Sequence, residues 1–389
     1  MNAEARTYKL GLDLPLSGID GASAIPARNA VLLAIDEANR AGFPGGARVA
    51  LSELDDAVQG KHDPAQGAVN LKSFAGDGDV LAVIGPMNSN VAKAEIPISN
   101  AAGLAQITMA ATSVELTRGP AARQLRVAHP DRPAFFRVCA SDDRQGAAAA
   151  RFARDRGLRR AFVIDDNESY GRGIADVFAA AFPAAGGTVL GREHLTSFAL
   201  DYKALLTKIR ASAPDAIFFG GIVSTGGAVL RRQMADVGLD RVAYLGGDGL
   251  ANPEYVPLAG RAAENTYFTL IAPDVERFPP ARAFRSANRA HFGSEPGITA
   301  RAPMRRPGSP SRQSVERRRR TGVGRAALRF STPSRGRRGW TRRSASWPST
   351  PPGICANRSS ASIASTGQGR VRGSGPGGAA LKPGSCPGT

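Results

Sequence analysis

Residues 80–90 read VLAVIGPMNSN, and this stretch decides the fold class. Val80–Gly85 is an unbroken apolar run of strand length, which predicts a strand buried on both faces. Pro86 and the polar residues after it mark a turn, and a helical pattern begins at about Asn90. A buried strand that leads directly into a helix is the repeating unit of a parallel sheet covered by helices.

The same unit recurs along the chain on both sides of this stretch. The strands predicted outside it lie at 8–16, 48–54, 105–110, 134–139, 161–165, 188–190, 216–219, 242–245 and 265–271. Helices are predicted at 26–41, from 63, at 145–156, 171–182, 202–211, 226–237 and 281–292. Each half spans about 110 to 130 residues, the size of one α/β domain.

The fold class that follows is α/β, with two doubly wound parallel-sheet lobes joined by a hinge. We expect crossovers between the lobes near residues 137 and 269. The first lobe then comprises residues 1–137 and 269–300, and the second comprises 138–268.

The chain is strongly basic, but its charge lies in one part of it. It holds 51 Lys and Arg against 33 Asp and Glu, a formal charge of +18. Residues 301–389 contain 19 of the basic residues and one acid, Glu316, so residues 1–300 are neutral overall. We therefore expect no nucleic-acid partner for residues 1–300.

Residues 301–389 form a basic low-complexity tail, dominated by Arg, Ser, Pro and Gly. Neither a strand nor a helix period is present there. Such a segment buries too little apolar surface to offset its ordering entropy, so we predict that the tail is disordered.

Polar residues follow several strands, where open α/β sheets bind ligands. Ser89 begins a helix whose free amides and positive dipole end would hold a carboxylate. Thr112 would add a hydroxyl and an amide, and the Ala110 carbonyl would accept from an ammonium. Each feature also has an ordinary explanation, as a helix cap or a strand-end turn.

Two further strand ends carry residues suited to the other lobe's side of a cleft. Tyr170 would offer a ring face and a hydroxyl, or simply pack at a helix start. Asp248, within GGDG (246–249), would pair with an ammonium, or cap a turn. Together the four strand ends could clamp a zwitterion between the lobes.

Patterns typical of enzymes and membrane spans do not occur before residue 301. Residues 1–300 lack Gly-x-Ser-x-Gly and the glycine patterns of nucleotide sites, and the four histidines have no metal-ligand spacing. Cys139 is the single cysteine before residue 301, and no apolar run reaches membrane length. We expect neither catalysis nor a cofactor or metal.

The order of eight segments resembles the leucine/isoleucine/valine-binding protein family. These are the type I periplasmic solute-binding proteins of branched-chain amino-acid ABC transporters. The segments are PLSG (15–18), AVLLAIDEANRAGFPGG (30–46), DD…DPAQGAVNL (55–71), VIGPMNS (83–89), AATSVELT (110–117), DDNESYGRG (165–173), FFGG (218–221) and LGGDG (245–249).

The resemblance implies roles for seven residues of a ligand site. The family residues that match Ser89, Ala110 and Thr112 hold the ligand's carboxylate and amine, and the match to Tyr170 lines the pocket. Asp248 matches a family acid, usually the longer Glu, that binds the ammonium. Two aromatic pocket positions of the family are Ser23 and Ile222 here, which favours an amino-acid-like solute without specifying a branched chain.

The resemblance also bears on the origin of the tail. Residues 303–314 and 348–355 can be back-translated so that the third-base frame reads DAAAWLAIAAI and FDATGDL, both similar to the family's C-terminal segments. We hypothesise that the tail is a frameshifted translation of that C-terminus. A basic arm for nucleic acid or anionic membrane is the alternative.

The function implied is the extracytoplasmic solute-binding component of an ABC importer, acting as a monomer with a permease and its ATPase. It would capture an amino acid or similar small molecule by hinge closure in the periplasm. A signal peptide is not recognisable at Met1, so we expect that it was removed or replaced. The alternative is a cytosolic ligand-sensing regulator of the same fold.

Overall fold

A computed structural model describes residues 6–271, 279–294 and 296–297, and the backbone of residues 363–365. The described chain forms two α/β lobes, each built on its own sheet. The predicted fold class is therefore confirmed. The predicted tail lies outside the described residues, apart from Ile363–Ser365.

The sheet of the first lobe has five parallel strands in the order β2-β1-β5-β6-β7. These strands are β1 (Thr7–Leu14), β2 (Arg48–Asp55), β5 (Val80–Ile84), β6 (Ala105–Thr108) and β7 (Phe135–Arg137). A short hairpin of β3 (Ala57–Val58) and β4 (Lys61–His62) follows β2. The helices that accompany this sheet are α1 (Gly18–Ala41), α2 (Pro64–Gly76), α3 (Ser89–Ala102) and α4 (Gly119–Gln124).

The sheet of the second lobe has six strands in the order β13-β12-β11-β10-β8-β9. They are β8 (Arg160–Asp165), β9 (Thr188–His194), β10 (Ala216–Gly220), β11 (Ala243–Gly246), β12 (Thr266–Thr269) and β13 (Ile363–Ser365). The helices are α5 (Asp142–Asp155), α6 (Ser169–Ala184), α7 (Lys203–Ala211), α8 (Ala228–Asp236) and α9 (Tyr255–Ala259). A last helix, α10 (Pro279–Phe292), packs against α1 of the first lobe.

The central strand β10 shows why its sequence gives a doubly wound sheet. All five of its residues are buried, and successive side chains point to opposite faces. Ile217 and Phe219 join the core beneath α7, α8 and α9, whereas Phe218 joins the core beneath α5 and α6. A continuous apolar run is therefore needed, because both faces are covered.

Helix starts follow local capping chemistry in some places and not in others. At α2 the Asp63 carboxylate accepts from the Gln66 amide at 2.8 Å and Pro64 occupies the first turn, as predicted. At α1 the prediction was wrong: the helix begins at Gly18, and Pro26 lies inside it. Proline is common in the first turn of a helix, but it does not mark the start of this one. The residues before Pro26 are also helical, because their tertiary packing favours the helix.

The second sheet ends in an edge strand that comes from the tail. Ile363–Ser365 pairs antiparallel with Thr266–Thr269 of β12. These three residues carry no charge, so they can join a sheet edge although the surrounding sequence is basic. The tail is therefore not irregular throughout. No helix among the described residues is long and apolar enough to cross a bilayer.

Candidate functional site

A cavity of about 450 Å³ lies between the two lobes, beyond the carboxyl ends of their strands. Its size suits a small organic ligand. Six of the seven residues predicted from the sequence line it, and these are Ser23, Ser89, Ala110, Tyr170, Ile222 and Asp248.

Asp248 supplies the strongest electrostatic feature of the cavity. Its Oδ1 accepts hydrogen bonds from Gln145 Nε2 at 2.7 Å and from the Tyr170 hydroxyl at 3.1 Å. Burial raises the pKa of Asp248 to about 6, and these two donors offset part of that increase. Among the described residues, no Lys or Arg forms an ion pair with Asp248.

The glycines around Asp248 are required by the close approach of Tyr170. A Cβ atom on Gly247 would lie 2.3 Å from the Tyr170 hydroxyl oxygen, and one on Gly249 would lie 2.5 Å from the Gly221 carbonyl oxygen. The amide of Gly249 also donates to the Tyr170 hydroxyl at 3.1 Å. The sequence GGDG thus lets a tyrosine ring pack directly against a carboxylate.

Ser89 lies on the other lobe's wall of the cavity, at the first residue of α3. Its side chain is almost completely buried, and its hydroxyl oxygen accepts from the Ser113 amide at 3.3 Å. The N-terminus of this 14-residue helix carries a positive dipole end. This wall is suited to an anionic group, whereas the Asp248 wall is suited to a cationic one.

Thr112 is the one predicted site residue that does not line the cavity. After β6 the chain turns away, and the Thr112 carbonyl accepts from Arg137 Nη1 at 2.7 Å and from the Asp142 amide at 3.1 Å. Thr112 thus lies where the chain crosses between the lobes. Its buried hydroxyl has no hydrogen-bond partner among the described residues.

The charged residues on the cavity wall are all acidic. They are Asp20, Asp166, Glu168 and Asp248, and no described Lys or Arg lines the cavity. Burial raises the pKa of Asp166 to about 7, so that carboxyl is partly neutral at neutral pH. The remaining wall includes apolar side chains, among them Leu250, Val256 and Ile271. A ligand therefore meets negative charge and apolar surface, but no basic side chain.

Two buried side chains that sequence patterns did not identify support this wall. Gln145 donates to Asp248 and also accepts from the Thr269 hydroxyl at 2.7 Å, so it connects the acid to the end of β12. His62 lies behind the wall, between Asp20 and Glu168. Asp248 and Thr269 are distant from Gln145 along the chain, and Asp20 and Glu168 are distant from His62, so no local motif signals these contacts.

Several side-chain contacts join the two lobes. Asn90 of the first lobe donates to Glu168 of the second at 3.1 Å, and Asn252 of the second donates to the Ile19 carbonyl at 3.2 Å. Lys61 lies over the Phe198 ring, 4.6 Å from its centroid.

Comparison with known proteins places this geometry in a family. Residues 7–303 match the family of periplasmic binding proteins. The chain is 33% identical over 282 residues to the Leu/Ile/Val-binding protein BraC3 of Rhizobium johnstonii, covering 72% of this chain and 71% of the relative. It is 30% identical to the leucine-, isoleucine-, valine-, threonine- and alanine-binding protein of Pseudomonas aeruginosa, covering 76% and 74%.

Solved structures show the same likeness. The isoleucine complex of the branched-chain amino acid transporter substrate-binding protein LivJ from Streptococcus pneumoniae has a TM-score of 0.66 and 27% identity, covering 76% of this chain and 81% of that one. The leucine-binding protein LivK from Thermotoga maritima has the same TM-score and identity, covering 75% and 78%. The predicted family is confirmed: this chain belongs to the Leu/Ile/Val-binding proteins of the periplasmic binding protein family.

Proposed function

We propose that this protein is the solute-binding component of an ABC importer and captures an amino acid between its lobes. The observation that carries the proposal is Asp248, a carboxylate on the wall of the cavity between the lobes that accepts from two neutral donors and has no ion-pair partner among the described residues. A buried charge without an opposite charge is costly. A ligand ammonium group would supply that charge.

The opposite wall supports binding of the ligand's carboxylate. Ser89 and Asn90, the first two residues of α3, line the same cavity from the other lobe. A zwitterion that bridges the two walls would stabilise the closed state and oppose opening. In this proposal Ala110, Tyr170, Ser23 and Ile222 shape the space around the ligand, while Thr112 acts from behind the wall.

The charges of the wall also restrict the ligand's side chain. Asp20 and Glu168 each pair with His62, but Asp166 and Asp248 have no described cationic partner, so a second carboxylate on the ligand would meet repulsion from them. Apolar contacts remain available at Leu250, Val256 and Ile271. We infer a preference for amino acids with uncharged, apolar side chains over aspartate, glutamate and carboxylic acids that lack an amine.

A thermal-shift screen tests this inference directly. We expect L-leucine, L-isoleucine, L-valine or a larger apolar amino acid to raise the melting temperature, because tight binding at 100-fold excess over Kd adds about 2.7 kcal/mol of stability. L-glutamate and benzoate, offered at the same concentrations, should give no shift. A shift with benzoate alone would contradict the proposal.

Binding should weaken in acid because Asp248 must be ionised to pair with an ammonium. The pKa of Asp248 in the empty cavity is raised to about 6. The contribution of Asp248 to affinity should be nearly full at pH 7 and should fall as the pH decreases through about 6, by about tenfold between pH 7 and pH 5. Titration calorimetry with the amino acid selected by the screen measures this. Equal affinities at pH 5 and pH 7 would contradict the assignment.

The proposal also covers the location of the protein and its partners in transport. The names of its relatives support transport rather than ligand sensing by a cytosolic regulator. We propose a periplasmic monomer that delivers its solute to a permease with its ATPase and performs no chemistry on it. Co-purification with such a permease from membranes, stronger in the presence of the amino acid, would support this partner.

A further inference from the structure

We propose that His62, with Asp20 and Glu168, forms a clasp that holds the two lobes together at one edge of the ligand cavity. His62 Nδ1 lies 3.0 Å from Asp20 Oδ2, and His62 Nε2 lies 2.9 Å from Glu168 Oε2. Asp20 and His62 belong to the first lobe, and Glu168 precedes α6 in the second. One imidazole thus joins two carboxylates across the cleft.

The arrangement requires a charged imidazole in the closed state. A neutral ring has one N–H and could donate to only one carboxylate, whereas the protonated ring donates to both. The His62 side chain has no exposed surface, and burial opposes its charge. The hydrogen bonds to Asp20 and Glu168 outweigh burial and raise the pKa of His62 to about 10.

The other charged groups near His62 do not replace Glu168 as its second hydrogen-bond partner. Asp56 is fully buried, and burial raises its pKa well above the ordinary value, so its charge is disfavoured. Lys61, on the same strand as His62, is directed to the Phe198 ring. Asn90 of α3 is uncharged and donates to the same Glu168 oxygen that His62 contacts.

Opening the lobes breaks only one half of the clasp. Asp20 stays with His62, whereas Glu168 moves away with the second lobe and water reaches the ring. The pKa of His62 should then fall toward its ordinary value near 6.5. Closing therefore takes up a proton at alkaline pH, so the closed state and any ligand it holds should weaken as the pH rises from 7 to 9.

This inference deepens the proposed function, but it can be tested without a ligand. Spin labels at Val69→Cys and Leu200→Cys, in the full chain with Cys139, Cys355 and Cys386 changed to serine, report the distance between the lobes. Both positions are exposed and lie outside the cavity. We expect His62→Gln to shift the ligand-free distance distribution toward a more open state.

Affinity for L-leucine provides the second measurement. His62→Gln should raise the Kd about tenfold at pH 7, the effect of losing a charge-assisted hydrogen bond, and should abolish the decrease in affinity between pH 7 and pH 9. The ligand's own titration is common to all variants. Glu168→Gln should reproduce the result, and it provides the test if His62→Gln does not fold.

His194→Gln is the matched control, because His194 pairs with Asp165 at 2.7 Å within the second lobe alone. It should change neither the label distances nor the alkaline dependence. Unchanged label distances in both His62→Gln and Glu168→Gln would overturn the clasp. If L-leucine fails to bind the unmodified protein, the proposed function is in question, and the label distances still decide the clasp.

Discussion

Replacing Asp248 with asparagine is expected to weaken binding of an apolar amino acid by about 1–3 kcal/mol, a factor of roughly 5 to 150 in Kd. Asparagine keeps the size and a hydrogen-bond acceptor for Gln145 and Tyr170, but it lacks the charge that pairs with an ammonium. Calorimetry at pH 7 gives the Kd. Asp131→Asn, an exposed acid of the first lobe, is the matched control.

Loss of binding in Asp248→Asn should not come from unfolding. A carboxyl whose pKa is higher in the folded than in the unfolded state lowers stability once the pH exceeds its unfolded value, and this cost is full at pH 7. The ligand-free variant should therefore melt at the same or a higher temperature. An amine-free analogue, 4-methylpentanoate, should bind both proteins alike. An unchanged Kd for the amino acid would remove Asp248 from the site.

Restoring the third-base reading frame near codon 300 is expected to give a more stable, soluble protein. The reconstructed frame contains an apolar helical segment, and burying three or four of its large side chains would contribute about 5–10 kcal/mol. The Arg-rich tail cannot replace that helix, because arginine is costly to bury without partners and proline interrupts helices. Urea unfolding of the two full-length chains measures the difference.

Limited proteolysis and DNA sequencing complete this test. In the chain as written, trypsin should cut first at the many arginines after residue 301, before the lobes are digested. In the frame-restored chain that early cleavage should disappear. A clean sequencing read with an intact frame, or a tail that resists trypsin while the lobes bind ligand, would show that the tail is native.

The strands and the strand-end residues of the site could be predicted because they depend on local sequence. A buried strand such as β10 needs a continuous apolar run, and a residue after a strand reaches the sheet edge in almost any packing. The position of Thr112 could not be predicted in this way, since Arg137 and Asp142 fix the turn after β6 from elsewhere in the chain.

The residues behind the cavity wall could not be predicted from the sequence, for a related reason. Gln145 reaches Asp248 within the second lobe although the two lie 103 positions apart in the sequence. His62 and Glu168 lie 106 positions apart and in different lobes. Neither residue has neighbours in the sequence that form a recognisable motif. Glu168 follows a strand closely, whereas Asp20 lies within α1, and their joint effect appears only where the two lobes meet.

The pairing of Ile363–Ser365 with β12 has a consequence for the evolution of this chain. Strand pairing at an edge uses backbone amides and carbonyls, which every residue except proline supplies in full. Many different sequences can therefore pair with the edge of β12, and a short uncharged segment of almost any origin can occupy it. A replaced C-terminal sequence can therefore still cover this edge of the second sheet. A change of sequence would be tolerated there far more readily than at the cavity, where binding depends on the positions of individual atoms.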